Sequence, residues 1–545
     1  MAFSAIGSKI TYGSKRVIRE ATVKDFSGGL DLSDDDLNIT SRFAKVQTNL
    51  YRSRDGRLRL RYGVKQFAAM PANTTGDIIA IEYFAGCMIV GTTNGEIVAF
   101  PVNGAGTITR LWPTGVAGKS WSTGLTTINF AQSRGELVIV NGKDKPLRLK
   151  SDFSIDFLGD VGNGNSNVNT PIAPFIVTCQ DFIVMAGQPN NPSKLYFSAK
   201  GSTGTFSGDP SPNDATTFDV GGNVAHGDNI IVGLAALNGY LFVAFETSTV
   251  VVTVGTYNGT AHVPAVFDVF DTYGAISQRS MTVVDKELWY CDQSGVLKIG
   301  RNQIGVTFIP DRTSQGIDVE LLRNLLFARS LGSIRNCFAV YNRLASQYML
   351  FIPKTSGLDK HTWISTRYNP DDQPSWSLFE GMNFSAGAIS SIGKLYLTTG
   401  RFLYQYGDIN DEFFDDNGSN IEFAWEMPWS VFSQYDQIKK VKAIRIYSRG
   451  TAQFGLQLFV DNIYLKRDGS FDPAAQIDFV AGDAQGYGNQ TDEQPYGGGR
   501  AAADPRIWKM DGKFIQGKFR ISGSTQLDFQ LVGLSISYTV GGRKR

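Results

Sequence analysis

Residues 234–245 read LAALNGYLFVAF: a short apolar strand, a tight polar turn, and a second apolar strand that ends in small residues. The same pattern returns as YFAGCMIVG (83–91), FAQSRGELVIVNG (130–142), VTCQDFIVMAG (177–187), VVDKELWYCD (283–292) and ISSIGKLYLTTG (389–400), with a weaker copy VYNRLASQYMLFIP (340–353). Turn to turn, the copies are spaced by roughly 46 to 60 residues, in and slightly above the range of propeller blades. One such unit buries only part of its apolar surface, so copies must stack, and radial stacking closes the array. The expected fold is all-β: a propeller of six or seven blades over residues 67–410. A propeller is a scaffold, so its chemistry must be sought separately.

The flanks read differently. Beyond Asp408, alternating runs at 421–425, 438–447, 454–460, 515–522 and 527–540 fit an antiparallel β-sandwich over residues 411–545. Between them lies a Gly-rich loop, AGDAQGYGNQTDEQPYGGGRAAADP (481–505). Residues 1–66 form an N-terminal arm and hairpin: a basic stretch Ser14-Lys15-Arg16-Val17-Ile18-Arg19, an acidic turn Asp34-Asp35-Asp36, then Asp55-Gly56, a type I′ hairpin signal. After that turn Arg57, Arg59 and Arg61 alternate with Leu58, Leu60 and Tyr62, which would place three guanidiniums on one strand face. Inside the propeller, residues 201–229 read as a surface insertion, and the spacing of 318–326 predicts the one clear short helix.

Composition supports this division. A chain of 545 residues is too long for one core, and 42% apolar residues with 59 glycines suit turn-rich β structure. No stretch of about eighteen apolar residues occurs, so no membrane span is expected, and the first residues lack the apolar run of a signal peptide. Residues 1–65 and 500–545 each carry +6, so the middle carries −11 for the chain to total +1. Basic ends around an acidic ring point to separate partners.

Candidate chemistry is sparse. The three histidines, His226, His262 and His361, stand apart from one another and from the cysteines, so neither a metal site nor a cofactor is expected. Cys87, Cys179, Cys291 and Cys337 each fall in or beside a blade strand and read as buried thiols. There is no nucleophile elbow, P-loop or zinc-protease motif. Paired carboxylates drawn from Asp268, Asp271, Asp285 and Asp292 would be the route to a glycosidase; strand-end aspartates more often cap turns. The cluster Trp425-Glu426-Met427-Pro428-Trp429 is either a sugar platform or sandwich core.

One resemblance covers nearly the whole chain. Phe26-Ser27-Gly28-Gly29-Leu30-Asp31, then Asn49-Leu50-Tyr51-Arg52 and Asp55-Gly56-Arg57-Leu58-Arg59-Leu60-Arg61-Tyr62-Gly63, resemble the opening of short-tailed phage tail nozzle proteins. These are also called tail tubular protein B, and are related to packaged-DNA stabilisation hub proteins. Asp31 stands where Asn is commoner in that pattern. The blade run 234–243, the run Tyr273-Gly274-Ala275-Ile276-Ser277-Gln278-Arg279-Ser280 and the terminal Tyr538-Thr539-Val540-Gly541-Gly542-Arg543 are similar too.

The resemblance implies a non-enzymatic structural protein of the virion tail. It would be a hexameric ring below the adaptor of the head-tail connector, in contact with tail fibres or spikes. It would retain packaged double-stranded DNA and form its exit channel at infection. On this reading Arg57, Arg59, Arg61, Arg543, Lys544 and Arg545 serve adaptor or subunit contacts, and DNA contact by them is secondary. The alternative is a carbohydrate-binding or glycoside-cleaving propeller.

Overall fold

A computed structural model describes residues 18–33, 39–102, 106–113, 119–158, 170–206, 215–224, 229–255, 263–301, 307–354, 360–369, 372–432, 437–450, 452–460, 475–481 and 513–543. Two compact units emerge from its contacts. One joins Met1–Lys65, Trp363–Glu380 and Gly407–Arg545; the other joins Gln66–Thr362 and Gly381–Tyr406.

The second unit is a seven-bladed β-propeller. Five blades are four-stranded antiparallel meanders spanning residues 78–112, 129–157, 175–219, 233–271 and 282–312. The sixth is built on Phe338–Asn342, Gln347–Pro353 and the start of Lys360–Thr366. The seventh uses Ala386–Ile389, Leu395–Thr399 and Phe402–Tyr406, with the earlier strand Val64–Ala69 as its outermost member. Closing the last blade with a strand from before the first ties the two ends of the ring together. The innermost strands of blades 7 and 1, Ala386–Ile389 and Ile78–Phe84, then lie in contact.

Each repeated sequence is the inner hairpin of one blade, the weak copy included. The turns explain the recurrence. Registers such as Phe84↔Cys87, Ser133↔Glu136, Cys179↔Phe182 and Leu237↔Tyr240 leave two-residue loops. In those four loops both residues have positive φ: Ala85 and Gly86 (48° and 85°), Arg134 and Gly135 (51° and 77°), Gln180 and Asp181 (47° and 67°), Asn238 and Gly239 (53° and 82°). That is the turn whose twist matches antiparallel strands. Between blades the inner faces fuse into apolar layers. Leu241, Val243, Val250 and Val252 of blade 4, for example, pack with Val184, Leu195 and Phe197 of blade 3. The expected helix is α1, Asp318–Ser330, which buries Leu321, Leu325 and Ala328 between blades 5 and 6 of the chain.

Residues 201–229 are not simply a surface insertion. Thr216–Asp219 is the fourth strand of blade 3, paired with Asn191–Phe197. Phe206 and Val220 are fully buried. Short polar sequence hid a strand that needs only one neighbour to pair with. Residues 207–214 and 225–228 of that segment, and nearly all of 481–505, lie outside the described residues.

The other unit is a two-sheet sandwich whose strands come from both ends of the chain. One sheet is centred on Phe529–Arg543, which pairs with Gln437–Gly450 on one side and with Leu58–Leu60 and Ile18–Val23 on the other. The second places Ser419–Glu426 beside Gly517–Thr525, then Ala452–Val460 and Ala475–Ala481, with Val46–Thr48 on the free side of Ser419–Glu426. Phe423 of one sheet stacks on Phe529 of the other at 4.7 Å, and Phe454 packs on the same ring at 5.5 Å. The N-terminal segment is therefore not an arm apart from the sandwich, because its strands complete both sheets. Residues 363–380, expected within the propeller, belong to this unit as well: Gly29 pairs with Trp376 and Thr48 with Leu378.

Candidate functional site

Two constellations stand out, one in each unit. In the sandwich unit, the hairpin Leu50–Arg52 to Leu58–Leu60 turns through Ser53-Arg54-Asp55-Gly56, with Gly56 N–H donating to Ser53 O at 3.0 Å. Only Gly56 has positive φ, 79°. The loop is thus a three-residue one with glycine in the left-handed region, not the two-residue type I′ turn that Asp55-Gly56 suggested.

The three arginines that follow do not share an exposed face. Arg57 pairs with Asp55 at 2.9 Å near the surface. Arg59 lies between Asp528 at 3.1 Å and Glu412 at 2.9 Å, over the rings of Tyr62 and Phe414. Arg61 is buried, with 1% of its surface exposed. All five of its N–H donors are used: Nε on Asn49 Oδ1 at 2.9 Å, Nη1 on Tyr62 O at 3.1 Å and Asp416 Oδ1 at 2.9 Å, Nη2 on Glu380 O at 3.1 Å and on Asp416 Oδ2. Alternation failed as a guide here because Arg61 lies just past the strand end, where the chain turns inward.

Asn49 anchors the same node. Its φ is 56°, its amide donates to Glu422 O at 2.7 Å, and its Oδ1 also accepts from Glu380 N–H at 2.9 Å. Gly63 passes so close to Asp415 that a Cβ there would sit 1.9 Å from its carbonyl oxygen. Four separate stretches of chain meet on these few residues. Of the terminal cations, Arg543 ends the strand Phe529–Arg543, and Lys544 and Arg545 lie outside the described residues.

In the propeller, the polar run Ser277–Ser280 lies just before the inner strand of blade 5, among the inner strands of its neighbours. Ser277 accepts from Ser280 N–H through its Oγ at 3.1 Å and donates that Oγ to Cys337 O at 2.6 Å. The resulting 3-10 turn Gln278–Ser280 touches the inner strands of blades 4 and 6. Gly233 makes room for it, since a Cβ there would lie 2.8 Å from Gln278 Cα. From this wedge Gln278 Nε2 reaches Ile176 O of blade 3 at 2.9 Å, and Arg279 Nη2 reaches Ser385 O, before blade 7, at 2.5 Å. The Arg279 guanidinium covers Phe338 of blade 6 at 5.2 Å. One dipeptide so spans blades 3 to 7 where the inner strands begin, and it narrows the axial opening there. Toward the other end, Gln132 donates to Tyr83 O at 2.5 Å and to Glu82 Oε1 at 3.2 Å. Burial pushes the Glu82 carboxyl up to about 7.

The remaining candidates sort by position. Asp268 and Asp271 lie on the outermost strand of blade 4, Ala265–Asp271. Asp285 and Asp292 flank the strand Glu287–Cys291; at about 3.3 Å per residue they are roughly 20 Å apart along the chain. The carboxyls of a glycosidase stand about 5 to 9.5 Å apart, so this pair does not fit. Asp292 caps its turn, accepting from the N–H groups of Ser294 at 2.7 Å and Gly295 at 2.6 Å.

Trp425 is core, edge-on to Phe26 at 5.3 Å. The four cysteines are free and buried, and among the described residues no group of His, Cys, Asp and Glu could hold a metal. His361 is half-buried in the strand Lys360–Thr366; His226, His262 and Asp34 to Asp36 lie outside the described residues. No helix is long and apolar enough to cross a membrane among the described residues. The wedge residues Gln278 and Arg279 were not singled out as site candidates by sequence reasoning. The available signal was a Ser-Gln-Arg-Ser run just before an inner strand that is otherwise apolar.

Neither a family model nor a curated protein matches the chain. Among solved structures, streptogramin B lyase aligns with 64% of this chain and 98% of its own, at 9% identity and TM-score 0.38. U3-55K aligns with 63% of this chain and 99% of its own, at 9% identity and TM-score 0.39. The WD40 beta propeller domain of Doa1 aligns with 64% and 97%, at 9% identity and TM-score 0.35.

Proposed function

We propose that the protein is a structural component of a short-tailed phage tail: a nozzle, or hub, that closes the tail below the adaptor, retains packaged DNA and releases it at infection. In this role it carries no catalytic centre. The observation that carries the reading is where the family-like residues fall. Asn49, Arg61 and Gly63 belong to the node of the sandwich unit, Gly29 packs against Trp376 of the same unit, Gln278 and Arg279 are the wedge of the propeller, and Tyr538 is buried with its hydroxyl on Phe432 O at 2.9 Å. The runs that carry the resemblance thus include positions on which the architecture depends, as a shared architecture would leave behind at low overall similarity.

Because the wedge narrows the propeller axis, any duplex passes between subunits of a ring and not through a single propeller. A ring needs heterologous contacts, two different faces on each copy. Arg57, whose one ion pair, with Asp55, lies near the surface, could exchange that partner for such a contact, whereas Arg59 and Arg61 are held by carboxylates deeper in their own unit. Electron microscopy of the purified protein, alone and with the head-tail connector of its virion, tests the proposal. Closed rings of six that dock on the connector are expected. A dispersed monomer that ignores the connector and binds polysaccharide would overturn it in favour of the carbohydrate reading.

A further inference from the structure

In blade 1 the strands Cys87–Thr92 and Ile97–Pro101 meet a turn of blade 2 at Phe153, and the three enclose a cleft of about 400 Å³. Volumes of about 300 to 1,000 Å³ are those of small-molecule sites. The floor is apolar: Cys87 and Ala99 are 8% and 4% exposed, and Leu111 and the Phe153 ring pack beside them. Two local features shape the walls. Gly106 lies so close to Pro101 that a Cβ there would stand 2.6 Å from Pro101 Cγ. The turn that carries Phe153 is fixed by Asp152, which accepts the N–H and the hydroxyl of Ser154 at 2.9 and 2.6 Å. Polar side chains stand only at the rim, where Thr109 Oγ1 donates to Thr107 O at 3.0 Å and both residues are exposed.

Two observations point to what the cleft takes. None of its ten lining residues carries a charge, so an ionised ligand would lose its water there and gain no counter-charge. The Cys87 thiol, more than nine-tenths buried, borders the cleft as a free thiol without a hydrogen-bond partner. A thiol in that place is a small hydrophobe with one weak donor, suited to the face of a ring. An apolar cavity of about 150 Å³ already accepts benzene. We propose that the cleft between blades 1 and 2 binds a small uncharged aromatic molecule of one or two fused rings. The rings rest on Cys87, Ala99 and Leu111, and any N–H or hydroxyl of the ligand turns to Thr107 and Thr109. The site needs no second chain, so it stands apart from the tail role.

Indole is the probe, and benzoate, a charged ring of similar size, is its control. The first readout is alkylation of Cys87 by N-ethylmaleimide in the native full chain at pH 8, followed by peptide mass mapping. Burial raises the Cys87 thiol, so the reaction is slow and differences in rate are easily read. Indole should slow it saturably, by about tenfold at roughly ten times its Kd, and should raise Tm; benzoate should do neither. Thr109→Phe, a change at the exposed rim, fills the cleft from outside. It should melt near wild type, slow the alkylation by itself and abolish both effects of indole. If Cys87 proves unreactive in the native chain, the Tm gain and its loss in Thr109→Phe decide alone. Residues 103–105 adjoin Gly106 and lie outside the described residues; were they to fill the cleft, indole would neither protect nor stabilise. No effect of indole, an equal effect of benzoate, or an undiminished effect in Thr109→Phe overturns the site.

Discussion

Replacing Arg61 with Met should destabilise the sandwich unit far more than replacing either neighbouring arginine. The side chain is 1% exposed, and its partner Asp416 is 22% exposed. Truncating one member of a buried ion pair costs about 3 to 5 kcal/mol, because the other charge stays behind unpaired. The partial exposure of Asp416 lets water answer some of that charge, which moves the expectation to the lower end, about 3 kcal/mol. The carbonyls of Tyr62 and Glu380 lose a donor too, while Asn49 Oδ1 keeps the Glu380 N–H.

For a unit of roughly 220 residues, about 1 kcal/mol shifts Tm by about 2 to 4 °C, so the sandwich transition should fall by about 6 to 12 °C. Arg57→Gln, removing a surface pair, should change stability by less than about 1 kcal/mol. The assay is calorimetry, with hydrogen exchange to assign the transition to the sandwich unit. Arg61→Met combined with Asp416→Leu should recover part of the loss, since the orphaned charge is its main source. An Arg61→Met protein that melts within a degree of wild type, or a double variant no better than the single one, would refute the node. It follows that exchanging Arg57, Arg59 and Arg61 together cannot report cleanly on partner contacts, because the sandwich unit would be destabilised at the same time.

Other outcomes follow from the same coordinates. Glu82 holds its proton up to about 7 in the folded chain against 4.5 in the ordinary case. The folded state thus binds more protons across that window, and this group's contribution to stability falls as pH rises from 4.5 to 7. Glu82→Gln should remove that slope, seen as a flatter Tm profile from pH 4 to 8. Burial pushes the thiols of Cys179 and Cys337 up to about 12. They should resist a thiol reagent at pH 8 in the native protein and react once it is unfolded, with no disulfide on non-reducing gels.

The propeller was legible in the chain because its information is local. Each blade's inner hairpin carries its own alternation and its own turn, and strands joined by two-residue loops must pair with each other. The strands after Asp408 were legible by their own alternation alone, although their partners lie far away in the chain. The blade count was less so, since the hairpin at 340–353 has a longer, irregular turn and reads weakly by itself. What tertiary structure alone decided is everything that pairs across great sequence distance. Ile18–Val23 lies along Phe529–Arg543, Val64–Ala69 completes the seventh blade, and residues 363–380 leave the propeller to pair with Gly29 and Thr48.

The arginines show the physical reason most clearly. Period-two alternation says which side of a strand a residue takes, but not what stands opposite it. Arg61 looks like a surface cation until Asp416, some 350 positions later, is brought against it. Arg279 looks like a loop residue until the ring closes and brings it to Ser385 O and the ring of Phe338. Burial and electrostatic partnership are properties of the assembled neighbourhood. A single sequence specifies that neighbourhood only through the whole fold, whereas a hairpin is specified by a dozen adjacent residues.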